Sequence, residues 1–168
     1  MISKEAQEQH PRLVKLIEAA SSSVEQIFAK AGSVASMFHY VKNNGDHIVT
    51  LAPVHLEKDE GFELMRTIFA IENAVAVMFI GEAWTFVADI NEARAHVESG
   101  RSAVDHPRRI EIVTFEAEDS TGTLSGRRTI ERPAGKRPQL GPLEIETSKF
   151  ATGRLVGMLP KPSKATLQ

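Results

Sequence analysis

Two clusters in the sequence carry side chains of the kind that do chemistry. The first is Glu82 with Trp84, in the run Gly81-Glu82-Ala83-Trp84. Residues two apart in a strand share a face, so this spacing sets a carboxylate beside the chain's only tryptophan. Desolvation by the indole raises a carboxyl pKa and suits a general acid. The second cluster is Asp105-His106-Pro107-Arg108-Arg109. Asp105 and His106 are chain neighbours; in an extended segment they point to opposite sides and make no dyad alone. His106 meets Glu82 only if its loop folds back across the strand. Arg108 and Arg109 would then clamp an anion or a carboxylate. The enzyme reading is therefore a small hydrolase-like or ligand-binding site. Glu82 and His106 are its acid–base candidates, and Trp84, Arg108 and Arg109 its ligand contacts. The structural reading of the same residues is a strand end and a loop junction, with the arginines paired to Glu82, Glu111 or an acidic helix.

The remaining chemistry-bearing residues are less organised. The histidines are His10, His39, His47, His55, His96 and His106, and none has the HExxH or HxH spacing of a metal site. No metal and no cofactor is expected. His39 lies in an apolar run and reads as a satisfied core histidine; His47 and His55 flank a strand and read as exposed. Nucleophile-elbow, P-loop and dinucleotide motifs are missing. Arg127, Arg128, Arg132, Lys136 and Arg137 form a basic group that suits phosphates. It lacks interleaved aromatics for base stacking, so nucleic acid is not the favoured partner and the group reads first as a solvated hairpin edge.

Composition narrows the class. At 168 residues, with 42% apolar and 25% charged side chains, the chain reads as one globular domain. Residues 1–159 form the expected domain and 160–168 a flexible tail. Cysteine is absent, which removes disulfides, zinc–thiolate sites and cysteine nucleophiles together and fits a reducing, cytoplasmic setting. No apolar run approaches the ~18–20 residues of a membrane span, so no membrane partner is expected. Residues 1–100 hold 8 Lys+Arg against 14 Asp+Glu, whereas residues 101–168 hold 12 against 8. Such a split can mark an anionic partner for the basic part; the favoured reading is that the two parts balance each other on one folded surface.

The elements that must position these residues follow from periodicity. Leu13, Leu16, Ile17, Ala20, Val24, Ile27, Phe28 and Ala31 form one helical stripe, begun at Pro11 and stopped at Gly32. Residues 3–9 read as a separate helical turn. Residues 34–42 and 47–52 form a hairpin around Asn43-Asn44-Gly45-Asp46, closed by the Asn-Gly signal. A second helix is predicted from an N-cap at Asp59 to about Glu72–Asn73. Residues 74–88 follow as a central strand, apolar on both parities up to Ile80. Gly81 marks a bulge or a close backbone approach. Residues 89–108 are a long insert with a helical turn near Glu92–Val97. A second hairpin, 109–117 and 123–132, and a last strand at 143–147 complete the sheet, and 150–159 adds an edge strand or a packed loop.

The fold class is α+β: two layers, a mainly antiparallel sheet of five to six strands, and both long helices on one face. The crossover through the second helix allows one parallel pair. The strand ending in Glu82-Ala83-Trp84, the long loop, Asp105-His106-Pro107-Arg108-Arg109 and the run ending in an acidic turn (Phe115 to Gly122) resemble small uncharacterised proteins of bacteria and their phages or plasmids. The resemblance spans roughly residues 60–125. It implies a fold and a bacterial lineage, and assigns no role to Glu82, Trp84, His106 or Arg109. The expected function is a non-catalytic binding or accessory module, homodimeric through an exposed edge near Leu143–Thr147.

Overall fold

The computed structural model describes residues 1–147 and 155–160. Helix α1, Lys4–Gln9, meets α2, Pro11–Ala31, at His10, and Ser3 caps α1 by accepting from the Ala6 amide. Gly32 ends α2 in the left-handed conformation, φ 71°. The first hairpin is β1, Met37–Lys42, and β2, His47–Leu51. Helix α3 spans Lys58–Ile71, and β3 spans Ala74–Phe86. The N-cap of α3 is Glu57 rather than Asp59, and it makes no side-chain cap; Asp59 lies in the first turn, where its charge favours the helix dipole. The insert forms α4, Ile90–Glu98, and a 3₁₀ turn at Ala103–Asp105. Then come β4, Arg109–Asp119, and β5, Gly122–Glu131, followed by the short β6, Gln139–Leu140, and β7, Glu144–Thr147.

The sheet order is β2-β1-β3-β4-β5-β6, with β7 also paired to β5, and every neighbouring pair is antiparallel. The α+β class with an antiparallel sheet holds. The anticipated parallel pair does not form. The crossover through α3 delivers β3 to the far side of β1, so β2 and β3 run the same way with β1 between them. The ladder passes Gly81 without a bulge, because the glycine serves a close approach. A Cβ there would meet the Phe79 ring at 3.0 Å and the Ser36 hydroxyl at 3.1 Å.

The two long helices do not share a face. Ala76, Met78 and Ile80 of β3 pack with Val113, Phe115, Ala117, Leu124, Ile145 and α2. Val77 and Phe79, on the opposite parity, pack with Phe38, Tyr40 and the Met65 and Phe69 of α3. The reason is β3 itself: a strand apolar on both faces requires cover on both faces.

The expected free edge near Leu143–Thr147 is covered. Ile2 bridges Ile145, the Ser3 amide donates to the Ile145 carbonyl at 3.0 Å, and the Ile145 amide donates to the Met1 carbonyl at 3.0 Å. The expectations for residues 148–154 and for the tail beyond Pro160 lie outside the described residues. No helix of the described residues is long and apolar enough to cross a membrane.

Candidate functional site

The structure separates Glu82 from His106. Glu82 Oε1 accepts a 2.7 Å hydrogen bond from the Val34 amide and so anchors the link between α2 and β1. Trp84 stands two residues on, 43% exposed, with the Arg109 guanidinium carbon 5.4 Å from its ring centroid. That is a cation–π contact. Glu111, opposite Trp84 in the ladder, holds Arg132 by two 2.7 Å bonds. The Arg132 guanidinium lowers the Glu111 pKa, chiefly through that hydrogen bonding.

His106 is buried, 3% exposed, and lies flat on Phe86 at 4.1 Å. Its Nδ1 accepts from the Arg108 amide at 3.1 Å, which leaves Nε2 as the protonated nitrogen, 3.3 Å from Glu92 Oε1. Glu92 is also bonded by the Arg108 guanidinium, and that bond holds its carboxyl below the usual range. His96 closes the cluster edge-on to Phe86 at 5.0 Å. Asp105 caps its own turn, accepting from the Ser102 amide and hydroxyl at 3.1 Å. These residues fasten the insert to the end of β3. His106 therefore meets a carboxylate, as the acid–base reading requires, but the carboxylate is Glu92.

The basic group is largely paired. Arg127 donates to Glu144 at 2.8 Å, and Arg132 to Glu111 as above. Arg128 turns inward, 7% exposed, to Glu25 of α2 and the carbonyls of Gly141 and Leu140. Lys136 and Arg137 are exposed on the turn after β5. His39 and His47 hydrogen-bond to each other at 2.9 Å. Among the described residues, no group of three or more His, Asp or Glu is placed to hold a metal.

The candidate site lies on the α3 face, and of the residues singled out in the sequence Glu82 is among those that line it. Helix α3 and the loop before it cover β2, β1 and β3, and the face of β4 and β5 beyond is left uncovered by α3. That step forms a cavity of about 770 Å³. Its apolar wall is Phe38, Phe62 and Phe79, set edge-on or tilted at 5.3–6.0 Å, with Pro53, Val54 and Leu56. Its polar lining includes Glu116, Thr123 and Ser125, together with Glu82 and Ser36. Glu116 Oε1 accepts from the Thr114 hydroxyl at 2.6 Å, and Oε2 accepts from the Ser125 hydroxyl. A carboxylate has about four acceptor positions, so two hydroxyl donors orient Glu116 and leave capacity for a ligand. A second cavity of about 180 Å³ shares Glu116 and Ser125 and continues to Arg127, Glu144 and Glu146. Lys58 stands among the lining residues of the larger cavity.

Besides Glu82, the sequence signal for this site is the alternation after Val113. Val113, Phe115 and Ala117 face α2, so Thr114, Glu116 and Glu118 face the other way. That pattern marks a polar sheet face but not the wall opposite it. Compared with known proteins, the chain matches no protein-family model, no curated protein and no solved structure.

Proposed function

We propose that the chain is a non-catalytic binding module whose cavity takes an elongated small molecule. The ligand has an apolar body and a cationic or hydrogen-bond-donating head. One observation carries the reading: three phenylalanines and an oriented carboxylate, Glu116, line one cavity of about 770 Å³. That volume falls within the range of small-molecule sites, and a mostly apolar lining with a few placed polar groups is their usual chemistry. The hydrolase-like alternative has less support, since Glu82 and His106 serve different structural contacts. Nucleic-acid binding through residues 127–137 has less support for the same reason: Arg127, Arg128 and Arg132 are held by carboxylates. A cytoplasmic setting belongs to the reading, in keeping with a cysteine-free chain.

Titration calorimetry with decylammonium and decanoate tests it. Decylammonium is expected to bind and decanoate to bind much more weakly. Glu116→Gln should weaken decylammonium roughly 10- to 100-fold, the worth of one hydrogen bond to a charged group. Equal affinity for the two amphiphiles, or an unchanged affinity in Glu116→Gln, sinks the proposal.

A further inference from the structure

We infer that two copies of the chain associate about a two-fold axis through the edge strand β2. This does not depend on the cavity. The Lys42 amide donates to the Asp46 carbonyl and the Ala52 amide to the Ser36 carbonyl, both at 2.9 Å. Hydrogen-bonded pairs alternate along an antiparallel ladder, so Ile48 and Thr50 face β1. His47, Val49 and Leu51 then direct their backbone N–H and C=O groups to the open side. These three residues are symmetric about Val49. Self-pairing sets Val49 opposite Val49 and His47 opposite Leu51, each an outward-facing pair.

Edge strands are ordinarily blunted by charge, proline or a bulge. From His47 to Leu51 there is none of these, and Val49 and Leu51 are 61% and 68% exposed. His47 is the strand's one titratable side chain and falls opposite Leu51, so no like charges stand directly opposite when the strand pairs with its own copy. A second apolar surface lies behind the edge. Arg66 of α3 reaches the Gly157 carbonyl, and Met158 next to it is tied to Glu118 of β4. That flank of α3 therefore looks toward β4. Leu64 and Ile71 lie on the opposite flank, 41% and 72% exposed, and look toward the β2 edge. A two-fold normal to the sheet sets the two α3 helices side by side on one face, with these residues across the axis.

The size of the contact fixes its strength. A five-residue strand is ~17 Å long, and a helix set on a sheet adds ~20 Å of depth. The footprint is on the order of 400 Å² a side, at the low end for specific association, so the dimer forms and dissociates with concentration. Sedimentation equilibrium from about 5 µM to about 500 µM reads this directly. The apparent mass should climb from 18.5 kDa toward twice that value. Val49→Lys charges the strand and Ile71→Glu charges the helix flank. Each should raise the dissociation constant at least ~10-fold, with thermal melts confirming that both variants fold. A monomer at every concentration overturns the inference and leaves the edge to a foreign strand. A dimer indifferent to both substitutions overturns it as well.

Discussion

Arg128→Met should destabilise the protein by about 2–3 kcal/mol, although Arg128 belongs to the run of basic residues that reads as surface. The Arg128 Nε donates to the Gly141 carbonyl at 2.6 Å, and Nη1 and Nη2 reach the two oxygens of Glu25 at 3.1 and 3.3 Å. Ser21 and the Leu140 carbonyl receive longer bonds of 3.4 Å. Methionine keeps the apolar stem of the side chain and removes every donor. Losing a bond from a charged donor to a buried acceptor costs about 1.5–3 kcal/mol, and the orphaned carbonyls put the loss in the upper part of that range. Glu25 is largely exposed and returns to water, so it adds little. Across a domain of this size each kcal/mol moves Tm by roughly 2–4 °C, so the melt should fall by roughly 5–10 °C. Urea unfolding of Arg128→Met beside Arg127→Met is the decisive comparison. Arg127 makes an exposed ion pair, and its loss should cost at most about 1 kcal/mol. A loss below about 0.5 kcal/mol in Arg128→Met, or equal losses in the two variants, would refute the claim that the buried Arg128 bonds to the Gly141 and Leu140 carbonyls stabilise the fold.

Two further outcomes follow from packing and titration. Gly126→Val should cost about 1–3 kcal/mol by urea unfolding, because a Cβ at Gly126 would stand 2.8 Å from the Ile17 Cγ2 of α2, a stiff β-branched neighbour; a variant as stable as the parent would show that α2 can lift. Burial, and then the neighbouring His47 charge, lowers the His39 pKa from 6.5. The unfolded chain thus takes up a proton that the folded one resists, and stability should fall as pH drops below about 6.5, with no contribution above it. In His39→Gln the urea midpoint should change less between pH 7 and pH 5 than in the parent; the same change in both would remove His39 as the cause.

Local patterns in the sequence were enough for elements whose signals are local. The stripe from Leu13 to Ala31, with Pro11 and Gly32 at its ends, is helix α2, and Asn44-Gly45 closes the first hairpin. The side of the sheet that each helix covers was also implied. The double-sided apolar run at Ala74–Ile80 already demands a layer on each face, which a two-layer arrangement cannot supply. Of the candidate cavity only Glu82 was legible, because the wall comes from Phe38 and Phe62 and the floor from Glu116 and Ser125, residues joined only by tertiary packing. Glu82 and His106 failed as a pair for a related reason. Adjacency in the sequence did not reveal that the Val34 amide and Glu92 would reach them first.

The strap that Met1–Ser3 lays against β7 has a kinetic consequence. The Met1 amine donates to the Leu143 carbonyl across 142 residues of chain. The β3–β4–β5 meander is built from neighbouring segments and closes short loops, whereas the strap closes one nearly as long as the chain. Loop-closure entropy grows with length, and contacts of high sequence separation slow folding. The strap therefore forms on a sheet that already exists. Reversed, the same order makes α1 and the Met1–Ser3 segment the unit that opens first, at a free-energy cost below that of global unfolding. Each such opening bares β7 for a moment, so beside the β2 edge, which no described residue of the chain pairs with, the molecule has a second edge that opens only by breathing.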